Sequence, residues 1–124
     1  MTTRNEAYVL AGARTAIGTA FKGTLSQTPV YDLAEAAVEG AVARAGVAVD
    51  EIDDLVLGEV LYGGGDLARH TAVRLGMESV PGLAHQRQCA SGMAAVSTAA
   101  ASIIAGMDRI VVAGGAESSS TRPT

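Results

Sequence analysis

Cys89 is the one side chain of this sequence that can act as a strong nucleophile near neutral pH, and it is the only cysteine. It falls between a stretch that reads as a strand, Leu83–Gln88, and one that reads as a helix, Ala90–Ala105. The first backbone N–H groups of a helix have no intrahelical acceptor, and the helix dipole places partial positive charge beside them. Both effects favour the thiolate, the form that attacks in acyl transfer. Ser91-Gly92 keeps the first turn small, which leaves room for a carbonyl to approach. Position alone leaves a second reading open, because free cysteine is also a common core filler.

The remaining candidates are few. His85 lies four residues before Cys89, and a His–Cys pair is a usual way to activate a thiol. That separation puts both side chains on one face only if the strand runs on to the cysteine. We read His85 as strand structure and His70 as a helix-surface residue. Glu117 is either a buried anchor for the turn at Gly114-Gly115 or a solvated loop carboxylate. Gly63-Gly64-Gly65 has neither GxGxxG spacing nor a GK[ST] ending, which argues against a nucleotide site. One cysteine and two separated histidines form no metal-ligand pattern, so no metal site is expected.

The elements that must position these residues alternate. Tyr8–Ala11 is a short apolar run closed by Gly12, expected as a first strand. Thr28-Pro29 is expected to start a helix, with the Thr hydroxyl as cap and Pro at the first helical position. Its apolar positions from Val30 to Ala45 recur at spacings of three and four, and Gly46 is placed to end it. Leu55–Leu61 is the second expected strand. Asp66 can cap a short helix through Leu75, with Gly76 after it. Ile110–Ala113 is the last strand, expected to close at Gly114-Gly115. This order implies a mainly parallel sheet covered by helices, an α/β fold.

The 124 residues suffice for one domain, and 48% apolar with 18% charged residues belongs to a soluble globular chain. Aromatics are scarce, so the core must rely on close backbone approach. A net charge of −4 gives no reason to expect nucleic acid or an anionic membrane as partner. The start, Met1 to Glu6, has no apolar signal segment, and a lone cysteine fits a reducing, cytoplasmic setting. No charged residue occurs from 88 to 107. A helix without a charged stripe is normally buried all round. Ser91, Gly92, Ser97, Thr98 and Ser102 make it too polar for a membrane span. Full burial needs a layer on each side, more than these elements supply, so further chain or another subunit is expected to cover it.

Gln88-Cys89-Ala90-Ser91-Gly92-Met93-Ala94-Ala95-Val96 resembles the active-site segment of the thiolase family. Three further segments resemble the same family in the same order: Ala13–Gly18, Ala68-Arg69 and Ala113–Ser118. The resemblance therefore spans nearly the whole chain. Departures occur at His85 and Gln86, at Gly64-Gly65-Asp66-Leu67, and at Ser119, which bear on substrate identity more than on reaction class.

The resemblance implies a thiolase-fold N-terminal half domain over residues 1–124, a layered, mainly parallel sheet with one fully buried helix. It implies Cys89 as the nucleophile that forms an acyl-enzyme, with its backbone N–H contributing to an oxyanion hole. Coenzyme A thioesters would be the substrates, without a tightly bound cofactor, in thiolysis of 3-ketoacyl-CoA or condensation of acyl-CoA units. The family's His, second Cys, Asn-Glu-containing segment, CoA-binding loop region and C-terminal domain are absent from these residues. The chain is therefore expected to be inactive alone and to work with a C-terminal half or another subunit, as a homodimer or homotetramer. A non-catalytic thiolase-like subunit, with Cys89 kept as core, is the competing class. No residues are assigned to cofactor binding.

Overall fold

The computed structural model describes residues 4–62 and 65–124; Met1–Thr3 and the first two glycines of the Gly63–Gly65 loop lie outside them. The elements are α1 (Val30–Ala45), β1 (Asp54–Gly58), α2 (Leu67–Arg74), β2 (Leu83–His85), α3 (Ser91–Ile104) and β3 (Val111–Gly115), with a short 3₁₀ turn at Val49–Glu51. Leu55-Val56-Leu57 is apolar at consecutive positions, the pattern of a strand covered on both faces. It forms the centre of β1 and of the sheet, whose order is β2-β1-β3 with both pairings parallel. The register sets Gly58 opposite both His85 and Gly115, so the three strands finish at one edge.

Alternation along β1 divides the packing. Leu55 and Leu57 join the main core with Val30, Ala34, Val38 and Val42 of α1, Leu67, Ala68 and Ala72 of α2, and Met77 and Val80. Gly58, of the opposite parity, meets α3 on the other face. α1 buries one residue per turn and stops at Gly46, whose φ of 68° is open to a residue without Cβ. Two carboxylates sit at the positive end of α2: Asp66 accepts from the Arg69 N–H at 3.1 Å, and buried Glu59 accepts from the Leu67 N–H at 2.6 Å. Arg74 joins α2 to α1 through Glu35 at 2.6 Å and Asp32 at 3.5 Å. With Arg74 exposed in both, these pairs contribute about 1 kcal/mol at most.

Several sequence expectations are corrected. Tyr8–Ala11 is not a strand: Tyr8, Val9 and Leu10 are exposed and unpaired. An apolar cavity of about 410 Å³, bordered also by α1 and α3, separates this segment from the edge of β3, so no ladder forms. The sheet therefore has three strands among the described residues. α1 begins at Val30, because Pro29 keeps an extended ψ of 150° and serves as the cap; its carbonyl accepts from the N–H groups of Asp32 and Leu33, and Thr28 makes no cap bond. β1 stops at Gly58, because the N–H groups of Val60 and Leu61 turn to the Glu117 carboxylate instead of a neighbouring strand. Gly114 and Gly115 belong to β3 and do not form a turn after it.

The helix free of charge is α3, and full burial is not reached within this chain. Ala94, Ala95 and Ala99 face the sheet at 6% exposure or less, whereas Met93 is 69% exposed and Val96 and Ile104 are also open. Only one of the two layers such a helix calls for is present here. Among the described residues no helix is long and apolar enough to cross a membrane.

Asp53 ties the start of β1 to that of β3. Its carboxylate accepts from the Arg109 N–H at 2.7 Å and the Ile110 N–H at 3.2 Å, and its own N–H donates to the Ile110 carbonyl at 2.8 Å. The bond from Arg109, then that from Ile110, holds the carboxyl below its ordinary range. A lowered folded-state value stabilises fully above the unfolded value, about 3.9, and the benefit fades as pH falls through the lower folded value. Asp53→Asn should thus lower the melting temperature near neutral pH, and its difference from wild type should shrink as the pH falls below the ordinary carboxylate value of about 3.9. Thermal melts followed by circular dichroism across that range check it; a pH-independent difference contradicts it.

Candidate active site at the strand ends

Cys89 owes its place to three glycines. A Cβ added at Gly58 would lie 2.7 Å from the Ser91 carbonyl carbon and 2.8 Å from the Gly92 nitrogen. One added at Gly115 would lie 3.3 Å from the Gly58 oxygen and 3.4 Å from the Gly92 Cα. The first turn of α3 therefore rests directly on strand backbone, at the edge where β1 and β3 end. In open α/β sheets this edge, beyond the carboxyl ends of the strands, is where ligands bind.

Between β2 and α3 the chain reverses in a few residues. Gln88 takes a left-handed φ of 48°, a conformation with a cost of order 1–3 kcal/mol for a residue that is not glycine. Five hydrogen bonds hold it, one of them from its own N–H to Gln86 Oε1 at 2.8 Å. The Ser91 hydroxyl accepts from the Arg87 N–H at 2.7 Å and donates to the Gln88 carbonyl at 2.6 Å. The Ala90 N–H donates to the Arg87 carbonyl at 3.0 Å, and the Ser91 N–H to the Gln88 carbonyl at 3.1 Å. The Cys89 thiol is exposed at the tip. Among the described residues no protein acceptor pairs with the N–H groups of Cys89, Gly92 or Met93.

A pocket of about 500 Å³ opens beside the thiol, lined by Val60, Leu61, Gln88, Cys89, Gly92 and Glu117 among others. Glu117 shapes it by accepting from the Val60 N–H at 2.8 Å and the Leu61 N–H at 3.0 Å. It is thus an anchor, but of the segment after β1 and not of a turn at Gly114-Gly115. The apolar cavity by β3 is lined by no Cys, Ser or His, so the pocket at Cys89 is the candidate site among the described residues.

The histidines stand elsewhere. β2 ends at His85 and does not run on to the cysteine, so the shared-face argument fails; the His85 ring Nε2 instead pairs with the Thr98 hydroxyl at 2.7 Å. His70 is half-buried, with its ring 4.1 Å from that of Tyr31, which corrects its reading as a surface residue. Neither lines the pocket. Among the described residues no three His, Cys, Asp or Glu side chains converge as a metal cage. The sequence reading gave no role to the Ser91 hydroxyl; a Ser a few residues after a tight turn, where its side chain can bond nearby backbone groups, is the signal that could have suggested one.

A thiol at a helix start, beside unpaired N–H groups, has the parts for attack on a thioester. Residues 7–124 match the family described as thiolase, N-terminal domain. The chain belongs to the thiolase family. It is 40% identical over 124 residues to the mitochondrial acetyl-CoA acetyltransferase B of Xenopus laevis, covering 98% of this chain and 29% of that protein. The acetyl-CoA acetyltransferase of Cupriavidus necator is 36% identical over 121 residues, 95% of this chain and 30% of its own length. Among solved structures, the acetyl-CoA acetyltransferase of Bacillus anthracis superposes with a TM-score of 0.92 at 36% identity, over 97% of this chain and 31% of that one. A thiolase of Ascaris suum in complex with coenzyme A gives 0.88 at 30% identity, over 95% and 31%. This thiolase-family chain thus spans under a third of the length of these relatives.

The glycine contacts yield a direct test. In Gly58→Ala the added methyl meets backbone atoms that cannot swing aside, so stability should fall by about 1–3 kcal/mol. Cys89 should also lose reactivity, because the displaced turn is the one that carries it. Urea unfolding and the rate of Cys89 alkylation measure the two effects; a stable variant with unchanged alkylation would contradict the packing argument.

Proposed function

We propose that Cys89 is the nucleophile of a coenzyme A-dependent acyl transfer. The exposed thiol at the start of α3, beside N–H groups that lack protein acceptors, is the observation that carries this reading. In the first step Sγ bonds to the thioester carbonyl carbon, the bond to the coenzyme A sulfur breaks, and coenzyme A leaves as its thiol. With a 3-ketoacyl-CoA, attack falls on the 3-keto carbon, and acetyl-CoA leaves as an enolate that takes up a proton. In the second step a thiol removes the acyl group in thiolysis, or an enolate removes it in condensation. Backbone N–H groups around Cys89 stabilise the charge that develops on the carbonyl oxygen; one such donor is worth about 10²- to 10³-fold in rate.

The proposal extends to what this chain does by itself. Neither histidine lines the pocket, and Cys89 is the only thiol, so an acid–base group for the enolate and the leaving thiol is not in place. Turnover then depends on further polypeptide, in a homodimer or homotetramer and in a reducing compartment such as the cytoplasm. This agrees with the family members compared, which are more than three times as long.

Incubation of the chain with acetyl-CoA, followed by peptide mass mapping, should place a single acetyl group on Cys89, and Cys89→Ala should carry none. Catalytic cleavage of a 3-ketoacyl-CoA by the chain alone should fall about 10²- to 10⁴-fold below that of a full-length thiolase, the usual contribution of a general acid–base. Acetylation at another residue would sink the assignment, and turnover comparable to a full-length thiolase would sink the requirement for further polypeptide.

A further inference from the structure

The Ser91 hydroxyl has a task that its buried, helix-starting position alone does not account for. It spans the strained Gln88, accepting from the Arg87 N–H of the Gln86–Arg87 peptide at 2.7 Å and donating to the Gln88 carbonyl at 2.6 Å. The Gln88 carbonyl belongs to the same planar peptide unit as the Cys89 N–H. In a trans peptide the C=O and N–H point in opposite directions. Two donors, the Ser91 hydroxyl and the Ser91 N–H at 3.1 Å, hold that carbonyl towards the first turn of α3. The plane is thereby fixed, and the Cys89 N–H is aimed the other way, where no protein acceptor meets it.

We propose that Ser91 is a positioning residue for acyl transfer: its hydroxyl locks the Gln88–Cys89 peptide plane so that the Cys89 N–H is held ready for the carbonyl oxygen. The proposal rests on the reading of Cys89 as nucleophile. It also explains how a left-handed non-glycine residue persists next to the thiol. The Arg87–Gln88 peptide is held by the Ala90 N–H on the Arg87 carbonyl at 3.0 Å and by the Gln88 N–H on Gln86 Oε1 at 2.8 Å. The Ser91 hydroxyl fixes the peptide before it and the peptide after it. Gly58 limits the alternatives from the other side, since the Ser91 Cβ lies against it.

Two reactions of the same thiol separate positioning from general structure. Acetylation by a small thioester develops negative charge on a carbonyl oxygen and needs the oriented N–H. Alkylation by iodoacetamide displaces iodide at a saturated carbon and develops no such charge. In the full chain, Ser91→Ala should slow acetylation of Cys89 by about 10- to 100-fold, while alkylation stays within about twofold. Ser102→Ala, which removes a hydroxyl bound to the Ala99 carbonyl further along the same helix, should leave both rates unchanged. Amide hydrogen exchange at Arg87 and Ser91 should quicken in Ser91→Ala only. Equal loss of both rates, unchanged rates, unchanged exchange at Arg87, or loss of the fold in Ser91→Ala would each overturn the proposal. If wild-type Cys89 is alkylated but never acetylated, the nucleophile reading fails and takes the catalytic half of this proposal with it. The exchange data then still decide whether Ser91 holds the turn.

Discussion

The contact on which the site depends is made by backbone against backbone, where the first turn of α3 lies on the ends of β1 and β3. Gly58 and Gly115 stand opposite each other in the parallel ladder, and Gly92 completes the contact. Without side chains between them, the helix start can sit at the carboxyl edge of the sheet. Cys89, just before that turn, is carried to the same edge. The pocket, the exposed thiol and the unpaired N–H groups all follow from this contact. It also accounts for the shortage of aromatics, since small residues are what lets these layers meet.

The two faces of the sheet solve different problems. On one, α1 and α2 bury branched side chains against Leu55 and Leu57, and burial of such surface yields about 25 cal/mol per Å². That face supplies most of the cohesion. On the other, α3 lays Ala94, Ala95 and Ala99 against the strands and contributes little volume. Its value is geometric. The local strain at Gln88 is carried on this face and is held by hydrogen bonds, while the larger core opposite keeps the strands in register.

The loop carboxylates extend the same division. Glu59 and Asp66 fix the start of α2, and Glu117 draws the chain after β1 to the side of the Cys89 pocket. Each works by accepting backbone N–H groups that have no ladder or helical partner, so irregular segments around the site are held without additional strands.

The sequence by itself determined the strongly patterned elements. Val30, Ala34, Val38 and Val42 recur at helical spacing, Gly46 can take a positive φ, and Leu55–Leu57 is apolar at successive positions; α1, its end and the central strand follow from local chemistry. Cys89 at a helix start was legible in the same way, and four motifs in order gave the family. What tertiary structure decided concerns partners that are remote along the chain. Whether Tyr8–Ala11 pairs depends on an edge more than a hundred residues away, and a cavity separates the two. Where β1 stops depends on Glu117, and what His85 binds depends on Thr98. The Ser91 clamp arises only once the turn at Gln88 is closed. Periodicity and propensity report how a segment can fold, whereas a hydrogen-bond acceptor or a covering layer belongs to whatever the fold brings alongside it. That is also why α3 is charge-free throughout and yet, in these residues, covered on one side only.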